Sequence, residues 1–253
     1  MDLRGAVALV TGASRGVGRA IAVALAEAGA DVACAARATD VSPLEIPGTI
    51  DETVRAVVRR GRHGLAIPTD LSKPDQVETM VARTIGTFGR LDVLVNNAAI
   101  TFPGDLELPL TRWDLVLDIN LRAPLLAMKA ALPGMIARRH GAILNLSSAA
   151  AVVVVPGLLA YGVSKAALER LTTGAAEALR AHGVSANCLR IDVPLASEGF
   201  VHNAPDGDTS DWEPTEVGAE SALWMLGQPA AFTGHVKGIT ELRREHGVAS
   251  GRP

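Results

Sequence analysis

A chain of 253 residues with 48% hydrophobic and 20% charged residues has the composition of an ordinary folded protein, long enough for one large domain or two small ones. The formal net charge of -3, with no Lys/Arg run longer than a pair, argues against a nucleic-acid surface and favours a small-molecule partner. No stretch approaches the roughly 20 apolar residues of a membrane span, and Met1-Asp2-Leu3-Arg4-Gly5 leads into a strand pattern rather than a signal peptide, so a cytoplasmic protein is expected. Aromatic residues make up only 3%, which leaves the core to Ala, Val, Leu and Gly at close backbone approach. Cys34 and Cys188 both sit in apolar runs and read as buried thiols. No Pro/Ser/Gly-rich linker divides the chain, so residues 1–253 are read as a single domain.

Ala6-Val7-Ala8-Leu9-Val10 is a continuous apolar run, the pattern of a strand covered on both faces in a parallel sheet. Thr11-Gly12-Ala13-Ser14-Arg15-Gly16-Val17-Gly18 follows, and 20–28 then reads as an Ala-rich helix ended by Gly29. In that context the glycines let backbone amides and a helix N-terminus approach a pyrophosphate. A second strand is expected at 32–36, and a polar insert with Pro43 and Pro47 precedes a helix at about 50–60. Further strands are predicted at 65–67, 93–95, 142–146, 184–189 and 235–240, with helices at 74–88, 111–139, 159–181 and 215–226 between them. Alternation of strand and helix means βαβ units and an α/β fold, a doubly wound Rossmann-type sheet of seven parallel strands. An eight-stranded α/β barrel is the competing architecture, and the strand count disfavours it. The segment 191–212 lacks periodicity and reads as a lid over the substrate, and 247–253 reads as a flexible tail.

The ends of the strands carry the candidate cofactor contacts. After strand two, NAD sites place an acid for the ribose 2'-hydroxyl, whereas NADP sites place Arg for the added phosphate. Here Arg37 stands in that place and Arg15 reaches the same spot, which favours NADP(H) over NAD(H), although Asp40 keeps both open. Asp70 and Leu71 end strand three, where Asp70 either meets an adenine edge or caps the next helix. Asn96-Asn97-Ala98-Ala99 ends strand four, where polar side chains must be satisfied locally and small residues let a cofactor lie close. Asn120 falls inside a predicted helix that its propensity disfavours.

Tyr161 and Lys165 stand one turn apart on a helix face, and Tyr161 is the only tyrosine. Bringing a phenol from a pKa of about 10 to about 7 requires roughly 4 kcal/mol. An ammonium about 4 Å away at an effective dielectric near 20 supplies roughly that much. Lys165 is therefore expected to make Tyr161 a usable acid and base near neutrality.

Thr11-Gly12 through Gly18, Asn96-Asn97-Ala98, Asn120, Ser148 and Tyr161 to Lys165, in that order and spacing, resemble the short-chain dehydrogenase/reductase family from about Val7 to Leu189. The resemblance implies a catalytic tetrad. Ser148 would hold the substrate oxygen, Tyr161 exchange the proton, Lys165 bind the nicotinamide ribose and lower the phenol pKa, and Asn120 anchor a water-mediated relay to Lys165. It also implies a homotetramer or dimer, no metal, and cofactor contacts from Gly12, Ser14, Arg15, Gly16, Val17, Gly18, Arg37, Asp70, Leu71, Asn97, Ala98, Ala99, Tyr161, Lys165, Ile191 and Val193.

The departures are specific. Ala99 stands where the family usually has Gly, and Ile191-Asp192 where it usually has Pro-Gly. The change brings Arg190 and Asp192 to the mouth of the expected site, where an ion pair between them is favoured over substrate contacts. The insert at 44–50 resembles one in hydroxysteroid-dehydrogenase-like proteins, and 234–242 lacks the Gly-Gly ending of many members. The leading expectation is an NADP(H)-dependent oxidoreductase interconverting a carbonyl and a secondary alcohol on an apolar substrate, bounded by Leu195, Phe200, Val201, Trp212, 152–155 and Leu158. A non-catalytic NADP(H)-binding regulator of the same fold is the alternative, disfavoured by the complete tetrad. A nucleotide-sugar lyase or epimerase would carry a longer C-terminal substrate domain.

Overall fold

A computed structural model of the chain describes residues 1–203 and 208–249. Seven strands form one parallel sheet in the order β3-β2-β1-β4-β5-β6-β7: β1 (Val7–Thr11), β2 (Asp31–Ala36), β3 (Gly64–Pro68), β4 (Val93–Asn96), β5 (Gly141–Ser148), β6 (Val184–Ile191) and β7 (Val236–Gly238). The helices are α1 (Gly16–Glu27), α2 (Ile50–Val58), α3 (Pro74–Phe88), α4 (Leu110–Leu117), α5 (Ala123–Arg138), α6 (Leu159–Leu179), α7 (Glu198–Asn203), α8 (Glu216–Gly227) and α9 (Ile239–His246). The order reverses between β1 and β4, so a crevice opens at their C-terminal ends, where an open α/β sheet takes its ligand.

Alternation along the central strands sorts the core into two layers. Ala8, Val10, Val93, Val95, Leu144 and Leu146 pack on one face with α1, α8 and α9. Leu9, Leu94 and Ile143 pack on the other with α3 and α5. Because both faces are covered, β1 is buried at every position, and the run reads as continuous rather than alternating. Each fully buried Leu or Ile contributes roughly 2–3 kcal/mol of transfer free energy.

Some predicted elements differ in the structure. The helix expected over 111–139 is broken by a π turn at Asp118–Arg122, between α4 and α5. Pro124 has no N–H to give the Asn120 carbonyl four residues back, which disfavours an unbroken α-helix there. The strand expected over 235–240 stops at Gly238, because Asp192 Oδ1 accepts from Thr240 N at 3.1 Å and caps α9 instead. The segment 191–212 is not wholly irregular: it holds α7, a bridge between Leu195 and Glu213, and a Phe200–Trp212 ring stack at 4.4 Å, with 204–207 outside the described residues. In the tail expected to be loose, the Ala249 carbonyl accepts from Arg243 Nε at 3.1 Å, and 250–253 lie outside the described residues. No helix among the described residues is long and apolar enough to cross a membrane.

Candidate active site

The loop after β1 is shaped by what its glycines omit. A Cβ on Gly18 would stand 2.3 Å from the Gly12 carbonyl oxygen, and one on Gly12 would meet Ala98 Cα at 2.9 Å with φ at +66°. The end of β4 therefore lies directly against the loop. Asn97 fastens them together, its Nδ2 donating to the Thr11 carbonyl at 2.9 Å while Asn97 N and Ala98 N donate to Thr11 Oγ1 at 3.1 and 3.2 Å. Asn97 thus holds the cradle by its side chain, and the half-buried Ala98 and exposed Ala99 form the open surface beside it. Asn96 points inward, donating to Asn145 Oδ1 at 2.8 Å, and Asn145 donates in turn to Thr172 Oγ1 at 2.8 Å. Polar groups at this strand end are satisfied locally, as the sequence requires.

At the far end of the loop, Arg15 donates to the Gly48 carbonyl at 3.1 Å, and its Nε is buried without a partner. Burial lowers its pKa, Glu198 opposes that, and the neighbouring Arg37 charge adds to it. Two guanidinium groups held near one another, one with a buried unpaired N–H, fit an incoming phosphate. Asp40, which left the cofactor choice open, is engaged elsewhere: it accepts from Thr49 Oγ1 and Arg55 NH1, each at 2.6 Å. The insert that carries it ends in a capping box between Thr49 and Glu52 at the start of α2. Asp70 accepts from Ser72 N and Oγ at 3.0 and 2.8 Å, so it braces the turn before α3 rather than capping that helix, whose N-cap is Lys73. Burial alone would raise its pKa, but the Ser72 bonds and the Arg37 and Lys73 charges hold it low. Leu71, half-buried, packs on the core below.

The chemistry-bearing residues converge from β5, α6 and the π turn. Ser147 and Ser148, adjacent in sequence, point opposite ways, as strand geometry demands. Ser147 donates to Glu169 Oε1 at 2.7 Å, whereas Ser148 Oγ accepts from Ala150 N at 3.3 Å and acts on the Tyr161 phenol, lowering its pKa. Gly162 makes that approach possible, because a Cβ there would stand 2.7 Å from the Ala150 carbonyl oxygen. Lys165 is only 2% exposed and donates to the Leu146 carbonyl at 2.7 Å, with its Nζ 5.6 Å from the Tyr161 ring centre. Burial lowers its pKa to about 8, opposed by Cys188 and Glu169. The Cys188 thiol is itself pushed up to about 12, so near neutrality Glu169 is the anion that counts.

Two expectations are corrected here. The Tyr161 phenol is pushed up from its ordinary value by burial, with Ser148 working against that rise, the opposite direction to the one expected from Lys165 alone. The ammonium lies against the Leu146 carbonyl in a desolvated setting, where burial weighs against charge as well as spacing. Arg190 pairs not with Asp192 but with Glu169, Nε to Oε1 at 2.8 Å and NH2 to Oε2 at 2.7 Å. Asn120 is fully engaged, accepting from Ile100 N at 2.8 Å and donating to the Ile100 carbonyl at 2.9 Å and to Ser164 Oγ at 3.0 Å. Its side chain therefore braces the loop after β4 against α6 and makes no bond to Lys165.

Ile191 ends β6 and Val193 follows, both packed beside the core under the crevice. Of the apolar residues expected around a substrate, Leu195 is buried in the core at 4% exposure, while Val154 is 90% and Phe200 47% exposed. Sequence reasoning missed Glu169, although its place one turn past Lys165 on the same helix face was the available signal. It also missed Glu198, whose Oε2 accepts from Gly16 N at 2.7 Å. No sequence pattern pointed to that contact.

Comparison with known proteins agrees with this geometry. The short chain dehydrogenase family matches residues 6–193. The 3-oxoacyl-[acyl-carrier-protein] reductase FabG of Staphylococcus aureus is 38% identical over 183 residues, 72% of each chain. Hydroxysteroid dehydrogenase-like protein 2 of Danio rerio is 31% identical over 251 residues, which span 97% of this chain and 60% of the relative. A metagenomic short-chain oxidoreductase solved in complex with NADP superposes with a TM-score of 0.78 at 31% identity, covering 94% of this chain and 97% of that one. The chain belongs to the short-chain dehydrogenase family and is an NAD(P)-dependent oxidoreductase.

Proposed function

We propose that the enzyme uses NADP(H) to interconvert a carbonyl and a secondary alcohol on a small apolar substrate, with Tyr161 as the proton donor and acceptor. The observation that carries the cofactor choice is Arg15 with its buried, unpartnered Nε beside Arg37, while Asp40 is held by Thr49 and Arg55. The loop from Gly12 through Ser14, Arg15, Gly16 and Val17 to Gly18 would hold the pyrophosphate on backbone amides. Arg37 and Arg15 would hold the 2'-phosphate, Asp70 and Leu71 the adenine end, and Asn97, Ala98, Ala99, Ile191 and Val193 the nicotinamide side. When bound, the nicotinamide supplies or accepts the hydride at the carbonyl carbon.

The chain's own residues handle the proton. Ser148 donates to the substrate oxygen and orients it toward the Tyr161 hydroxyl. The phenol, protonated at neutral pH as an ordinary tyrosine is and pushed further up by burial, suits donation to a carbonyl oxygen. Lys165, anchored on the Leu146 carbonyl, brings a positive charge to the same pocket and stabilises the phenolate left behind. Asn120 braces the loop after β4 against α6, and from there would anchor a water-mediated relay to Lys165. The exposed residues Val152, Val153, Val154, Phe200 and Val201 support an apolar substrate. Assembly as a homo-oligomer belongs to the same proposal, supported by the apolar groove that Leu121, Leu125, Leu132 and Leu171 line between α5 and α6.

The test is turnover of a panel of aliphatic and aromatic ketones and secondary alcohols with NADPH/NADP+ and with NADH/NAD+. The reading expects kcat/KM at least about tenfold higher with the phosphorylated cofactor, the effect of about 1.4 kcal/mol of differential binding. Equal use of both cofactors removes the NADP preference. Tight cofactor binding with no turnover across the panel favours a regulator instead.

A further inference from the structure

The N-terminus of α1 meets an anion supplied by the chain itself. Glu198, the first residue of α7, places Oε2 2.7 Å from the Gly16 amide nitrogen, which donates to it. Ser197 closes in beside it, its Cβ 3.0 Å from where a Gly16 Cβ would stand. Gly16 itself adopts φ of +55°, so neither the backbone conformation nor the space admits another residue comfortably. The Glu198 charge also acts on Arg15, in the direction that favours the charged guanidinium. A carboxylate thus sits on a backbone N–H that, on the functional reading above, faces the cofactor's pyrophosphate.

The base of the segment is fixed separately. Ala196 N donates to the Glu213 carbonyl at 2.7 Å and Glu213 N to the Pro194 carbonyl at 2.9 Å, a short parallel bridge beside the buried Leu195. The stack of Phe200 on Trp212, ring centroids 4.4 Å apart, lies on the same segment. The Glu198–Gly16 bond crosses the crevice from this anchored segment to the glycine loop.

We propose that Glu198 is a displaceable stand-in for a cofactor phosphate. Its carboxylate latches the segment after β6 across the crevice, and a dinucleotide that takes the Gly16 amide must expel it, so cofactor binding and release of the latch are one event. This rests on the NAD(P)-binding reading and extends it. Two anions cannot share one N–H, and the free energy holding the latch is subtracted from the cofactor's affinity. Coupling of this kind is reciprocal, so whatever weakens the latch tightens the cofactor by the same factor.

The experiment compares the wild type with Glu198→Gln and Glu198→Ala. Asp208→Asn serves as a control that removes an equal charge from the same segment, at a side chain turned to Ser210 N. NADPH affinity is followed by nicotinamide fluorescence, and amide hydrogen exchange is followed over 196–202 in the free protein and with inorganic pyrophosphate. The expected result is NADPH affinity about five- to tenfold tighter in both Glu198 variants, the low end of ordinary coupling between sites, and unchanged in Asp208→Asn. Pyrophosphate should speed exchange over 196–202 in the wild type and leave the already faster Glu198→Ala unaffected. Unchanged affinity in the Glu198 variants with binding intact overturns the latch alone, as does equal tightening in Asp208→Asn, which would mean bulk charge. Failure of every protein to bind NADPH or NADH overturns the cofactor reading and the latch with it.

Discussion

The loop after β1 makes its site by leaving atoms out, whereas the ends of β5 and β6 make theirs by burying polar groups and pairing each one. Around Gly12 and Gly18 the essential property is space, since any Cβ meets backbone at 2.9 Å or less. Around Lys165 it is compensation: the ammonium on the Leu146 carbonyl, Ser147 and Arg190 on Glu169, Asn96 on Asn145. The first kind of site is sensitive above all to added volume at Gly12 and Gly18. The second is sensitive to charge, because an unpaired buried group costs its full desolvation. The contrast explains why binding and chemistry should separate under mutation.

The sharpest separation is expected from Tyr161→Phe. Loss of the phenol proton should lower turnover about a thousandfold, within the usual range for a general acid. NADPH affinity should stay within about twofold, measured by fluorescence titration. Gly18→Ala should do the reverse kind of damage. Its Cβ would press on the Gly12 carbonyl from 2.3 Å, and a shift of the loop should cost roughly 2–3 kcal/mol of stability and more than tenfold in NADPH affinity, read by thermal melts and titration. A Gly18→Ala enzyme with unaltered cofactor affinity would show that the loop's emptiness is not what binds.

A smaller effect, of opposite sign, is expected from Lys165→Met. Burial lowers the Lys165 pKa to about 8, against about 10.4 for an unfolded lysine, so the unfolded chain holds the proton more tightly. The buried charge therefore costs stability fully below pH 8, and the cost falls away as pH rises toward about 10. With the bond to the Leu146 carbonyl lost as well, Lys165→Met should be more stable than the wild type by about 1–2 kcal/mol at pH 7, with the advantage shrinking above pH 8 and turnover abolished. Chemical denaturation across that pH range checks the sign.

The same contrast governs what the sequence reveals. Strand, glycine loop and helix are legible because each is a local pattern: a continuous apolar run, glycines at a turn, helical periodicity. The seven strands and their alternation with helices follow from such patterns, and so do the positions of Ser148, Tyr161 and Lys165. What fails is whatever depends on contacts between distant segments. Arg190 stands two residues from Asp192 but finds Glu169 on α6, and Asp192 finds Thr240. The π turn at Asp118–Arg122 had a local signal in Pro124 that propensity alone conceals. An energy from charge spacing omits burial, which pushes the Tyr161 phenol up. Glu198 on Gly16 joins residues 182 positions apart, beyond any reading by periodicity.

Because Tyr161 is the only tyrosine, its ionisation can be followed without interference from another phenol, by tyrosinate absorbance in the free protein. The account predicts a midpoint above the usual value of about 10, because burial raises it and Ser148 only partly opposes this. A midpoint near neutrality would contradict it, and would return to Lys165 the role that the structure gives to burial.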